Sequence, residues 1–65
     1  MPMQTYGIVL PDSSNLNNAK NIIRTEGGSE IPSDSSLTIK YVCDEATKSR
    51  IINALTRANI AFIGN

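Results

Sequence analysis

The chain has no histidine, no tryptophan and a single cysteine, Cys43. Without histidine there is no Ser-His or Cys-His pair to activate a nucleophile. One cysteine rules out an intramolecular disulfide. With no histidine beside it, a Cys/His zinc site cannot be assembled from one chain either. A lone thiol fits a reducing compartment. An excess of charge of one sign is missing too. Six basic residues balance six acidic ones, and they are scattered, so there is no basic tract of the kind that holds a phosphate backbone. No apolar run is long enough to span a bilayer, and no charged start with an apolar middle marks a signal peptide. Together these absences lead to the expectation of a soluble, cytoplasmic protein that is not an enzyme, needs no cofactor and has no membrane partner.

Sixty-five residues read as one domain over 1–65. A chain of this size buries only about 60% of its unfolded surface. Disulfides, metals and association are the usual supplements for such a small core. Composition excludes an intramolecular disulfide and a Cys/His zinc site, so a protein partner or a second copy, as a homodimer, is expected.

What is present is regular. Residues 36–46 hold the most informative stretch. Leu37, Ile39, Tyr41 and Cys43 alternate with Thr38, Lys40 and Val42, the period of a half-buried strand. Asp44 follows as a helix N-cap, and Glu45 suits the positive end of the helix dipole. Ahead of it, 5–10 reads as a central strand with Tyr6, Ile8 and Leu10 on one face and Gly7 and Val9 on the other. Pro11 ends it, and 12–15 is a turn rich in capping side chains. Leu16, Ala19, Ile22 and Ile23 then mark one face of a helix over 15–26, closed by Gly27-Gly28. Residues 29–32 read as a short edge strand, where Pro32 is tolerated. A second helix over 45–58 buries Ala46, Ile51, Ile52, Leu55 and Ala58, and Asn59 is placed as a left-handed stop. Residues 60–63 read as the last strand.

The order is β-α-β-β-α-β, an α+β ferredoxin-like sandwich with a four-stranded antiparallel-type sheet and two helices on one face. Dropping the second strand leaves the alternative, a three-stranded α/β unit.

Four groups of residues invite a functional reading. Cys43 stands where a strand meets a helix N-terminus, a place where amides and dipole lower a thiol pKa; the competing account is a small apolar residue closing the core. Asp12, Ser13, Ser14 and Asp44 form a candidate ligand loop, on the expectation that both segments follow carboxyl ends of parallel strands; capping explains the same residues. Tyr6 and Tyr41 lie on the two central strands, where one ferredoxin-like module stacks RNA bases. Each shares its face with aliphatics, and nucleic acid is not expected. The face away from the helices carries Val9, Thr38, Lys40, Val42, Ala61 and Ile63, more apolar than a solvated face requires. It is the expected contact surface for a partner.

Ile31-Pro32-Ser33-Asp34-Ser35-Ser36-Leu37-Thr38-Ile39-Lys40-Tyr41, followed by Arg50-Ile51-Ile52-Asn53-Ala54-Leu55 and Asn59-Ile60, resembles the bacterial selenium/sulfur carrier-like small domains. Val9-Leu10-Pro11-Asp12-Ser13 and Ala19-Lys20 resemble that family's opening strand and helix. The resemblance implies a compact cytosolic domain whose Cys-Gly carries a chalcogen atom. Here Ser35-Ser36 stand in those positions, and a serine hydroxyl forms neither persulfide nor selenide. Carrier chemistry would then be either lost or moved to Cys43. Three functions follow as expectations. The first is a non-catalytic interaction or regulatory module, including an inhibitor from a mobile element. The second is a thiol-dependent carrier, and the third a small-ligand sensor.

Overall fold

The computed structural model describes residues 2–64. Its elements are β1 (Gln4–Val9), α1 (Leu16–Thr25), β2 (Ser29–Ile31), β3 (Thr38–Cys43), α2 (Glu45–Arg57) and β4 (Ile63–Gly64). They form one four-stranded sheet in the order β2-β3-β1-β4, every neighbouring pair antiparallel. This is the ferredoxin-like α+β arrangement. The second strand forms, so the three-stranded alternative does not apply.

Strand alternation decides which side is covered. Ile8, Leu10, Ile39, Tyr41 and Cys43 are buried together with Ala19 and Ile23 of α1, Ile51 and Leu55 of α2, and Ile60. Tyr6, Leu16, Ile22, Ile52 and Phe62 close the margin of that core. Both helices therefore use the same sheet face, and the other face is bare. Tyr6 and Tyr41 are direct cross-strand partners, with ring centroids 5.9 Å apart and planes tilted by 34°. Lys48 of α2 lies 5.3 Å above the Tyr6 ring, a cation–π contact that places the aromatic pair under the helices.

Both helices stop by the same device. At the end of α1 the Gly28 amide donates to the Ile23 carbonyl and the Gly27 amide to Arg24, with Gly27 at φ 106°. At the end of α2 the Ile60 amide donates to Leu55 and the Asn59 amide to Thr56, with Asn59 at φ 63°. These are Schellman caps, in which a left-handed residue turns the last carbonyls back onto following amides. Glycine and asparagine are the residues that enter that conformation most cheaply.

The caps explain the main correction to the sequence reading. Residues 60–63 do not form the last strand; only Ile63–Gly64 pair, with Val9 and Ile8. Ile60 is consumed by the α2 cap and buried against the core, so its apolar character serves the turn. Ala61 and Phe62 lead back to the sheet edge. Two smaller shifts occur. β1 begins one residue early, although Leu10 still donates to the Leu37 carbonyl across the sheet. β3 begins at Thr38 because the Thr38 amide first closes a turn onto Ser35.

Candidate functional site

The bare face of the sheet is a small grid. Cross-strand partners in an antiparallel sheet share a face, so the pairing register places its members. Ser29, Val42 and Thr5 form one row; Ile31, Lys40 and Gly7 the next; Thr38, Val9 and Ile63 the third. Val9 remains 44% exposed and Ile63 78% exposed. Val42, Thr38 and Ile31 are half-buried, and Lys40 is exposed. Gly7 has no side chain to occupy its place, and a β-carbon there would lie 3.8 Å from Lys40 Cγ. The aliphatic stem of Lys40 thus leans over the glycine, a common way for lysine to cover apolar surface while keeping its ammonium wet.

Of the six residues assigned to this face from sequence, five occupy the grid. Ala61 is exposed and lies in the connection before β4. It joins Val9, Leu10, Pro11, Phe62 and Ile63 around an apolar cleft of about 370 Å³. The structure therefore gathers Val9, Ala61 and Ile63 into one corner, while Thr38, Lys40 and Val42 line up along β3. Ile31, Ser29, Thr5 and the cleft residues Pro11 and Phe62 were missed. The three residues of β2 are too few to show a period. Glu30 gives the opposite signal, since a charge in a strand is expected on the open side, yet it faces the helices and pairs with Lys20 of α1 at 3.6 Å.

Cys43 lies on the helix side of β3 and is 1% exposed. Burial raises its thiol pKa, and the neighbouring Asp44 carboxylate raises it further, against a smaller lowering by Arg50 and Lys48. A buried, protonated thiol is the opposite of the exposed thiolate that carrier chemistry needs. Iodoacetamide should accordingly label Cys43 slowly in the folded protein and rapidly in denaturant. Equal rates in the two states would show an open site.

The Asp12 to Ser14 segment and Asp44 do not form one site. β1 and β3 are antiparallel, with Gln4 opposite Cys43 and Val9 opposite Thr38, so the expected parallel pair of carboxyl ends is absent. Asp44 follows the end of β3 beside the start of β1, while Asp12 follows the far end of β1. Six-residue strands separate those ends by roughly 17 Å at about 3.4 Å per residue. Each segment does local work. Asp12 accepts from the Ser14 amide at 2.9 Å. Asn15, at the N-cap of α1, makes no side-chain capping bond. Asp44 caps α2, accepting from the Thr47 amide at 2.7 Å. That amide, with the Thr47 hydroxyl, holds the Asp44 carboxyl below its ordinary pKa. Arg50 continues the chain of contacts, donating to Thr47 Oγ1 at 3.0 Å and approaching Glu26 at 3.8 Å. It ties the start of α2 to the end of α1.

Ser35 and Ser36, in the connection before β3, border a polar cleft of about 260 Å³ with Lys20 and Glu30. Ser35 Oγ accepts from the Leu37 amide and its carbonyl accepts from the Ser33 hydroxyl, which is turn chemistry. Among the described residues no three His, Cys, Asp or Glu side chains group as metal ligands, and no helix is long and apolar enough to cross a membrane. Comparison with known proteins finds that no family model, no curated protein and no solved structure matches this chain.

Proposed function

We propose that the protein is a non-catalytic interaction module that binds another polypeptide through the bare face of its sheet. One observation carries the reading. Both helices cover the same side, which leaves the opposite side with Val9 and Ile63 exposed beside half-buried Val42 and Ile31 and an apolar cleft at the corner. Sheets normally bury an apolar face against another layer, and patches of this kind mark contact surfaces. The chemistry available elsewhere is poor, since the one thiol is buried and the capping carboxylates are committed to amides. A regulatory or inhibitory role fits such a module, acting by occupancy of a partner.

A photo-crosslinking residue placed at position 42 or 63 should give the same discrete adduct inside the source cells. The same residue at position 18 or 53, on the outward sides of α1 and α2, should give none. The mass of the adduct tells a second copy of the chain from a different partner. Adducts from the helix positions alone, or no adduct from the sheet positions, would reject the reading.

A further inference from the structure

The centre of the bare face has a charge that the rest of the face does not answer. Lys40 lies mid-grid, with Ile31 and Gly7 on either side in its row and Thr38 and Val42 before and after it on β3. Among the described residues it is the face's one ionised side chain. Every carboxylate of the described chain lies elsewhere: Asp12 and Asp34 in connections, Glu26 at the end of α1, Glu30 turned toward α1, and Asp44 and Glu45 at the start of α2. Among the described residues the ion pairs join Lys20 to Glu30 and Arg50 to Glu26, and Lys40 takes part in neither.

A partner that covers this face must deal with the ammonium. Burying it unpaired is costly, and the cost is recovered only by an opposite charge and hydrogen bonds. A second copy stacked on the centre of the face brings another Lys40 toward the first, a like-charge contact that disfavours the pairing. A phosphate backbone is a poor match, because the face offers one cation and no aromatic ring for a base. The remaining match is a carboxylate set among apolar side chains. Thr38, two residues along the same strand, adds a hydroxyl donor for it.

We infer that the occupant of the face is an amphipathic polypeptide segment of another protein that presents an aspartate or glutamate to Lys40 and apolar side chains to Val9, Val42, Ile31 and Ile63. The inference rests on the interaction reading above and names its partner's chemistry.

Selection of a random-peptide phage library on the immobilised protein tests it. Enriched peptides should share an acidic residue flanked by apolar ones. For a synthetic peptide of that set, Lys40→Ala should weaken binding at least about tenfold, as should exchange of the peptide's acid for its amide. The two losses should not add. Lys40→Glu should instead enrich peptides with lysine or arginine. Lys40 is exposed, so these variants keep the fold, which circular dichroism checks. Peptides sensitive to Val42→Asp but indifferent to Lys40→Ala would overturn the acidic partner and leave the face standing. Peptides indifferent to both, or no enrichment, would overturn both. RNA binding lost in Lys40→Ala, or a dimer mass halved by Val42→Asp, would replace the acidic segment with a phosphate backbone or a second copy.

Discussion

Ile51→Ala should lower the stability of the protein by about 2–5 kcal/mol, the range for removing buried aliphatic groups whose cavity does not collapse. Ile51 is fully buried in α2. Its seat is tight: one extra carbon on Gly28 would stand 3.1 Å from Ile51 Cδ1 and 2.8 Å from Ile23 Cγ2. The Gly27-Gly28 cap is therefore also the floor under Ile51, and its backbone is held by bonds to Arg24 and Ile23. Little nearby is free to move into the space that alanine leaves. A 65-residue chain has roughly 3–10 kcal/mol of total stability at typical values per residue, so this one change removes a large share of it or all of it. Urea denaturation followed by circular dichroism measures the effect. Ile51→Val, losing one carbon, should cost about 0.5–1.5 kcal/mol on the same scale. A loss below 1 kcal/mol for the alanine variant would mean that the α2 side of the core closes over the cavity.

Much of this arrangement is legible in the sequence because it rests on local rules. Alternation along Leu37 to Cys43 assigns the buried face of β3, and Ile39, Tyr41 and Cys43 are indeed the buried set. Gly27 and Asn59 announce left-handed stops, and both have positive φ. Asp44 reads as a cap and is one. What fails is what depends on assembly. The run Ile60-Ala61-Phe62-Ile63 has the composition of a strand, but a Schellman cap also wants an apolar residue after its left-handed position. Ile60 meets that demand, and composition does not tell the two uses apart. Strand direction is also global: the reversal between β2 and β3 turns β3 against β1, and so parts the Asp12 and Asp44 segments that the sequence reading joins. The centre of the bare face was visible as Lys40 and Val42. The edge strand at 29–32 is legible as well, but not which of its side chains share that face, because Ile31 gains its place from register with Lys40.

Tyr41→Phe should raise stability, in contrast to nearly every other core substitution. Tyr41 is fully buried, and its hydroxyl has no hydrogen-bond partner among the described residues. Burial foremost, then Cys43 and Tyr6, push its pKa up to about 12, so the group is a neutral hydroxyl in an apolar setting throughout the ordinary pH range. Leaving a buried polar group unsatisfied costs about 1–3 kcal/mol, whereas an apolar group of the same shape costs nothing of the kind. Phenylalanine keeps the ring, its 5.9 Å contact with Tyr6 and the filled volume, and it deletes only the unpaired oxygen. A gain of about 1 kcal/mol would move the melting temperature up by roughly 4–8 °C in a domain of this size. Tyr6→Phe is the control: its hydroxyl already bonds Gln4 Oε1 at 3.2 Å on the exposed margin, so its removal should change stability little. A melting temperature that falls in Tyr41→Phe would overturn the account, because it would show that the hydroxyl holds a bond in solution, most simply to an enclosed water.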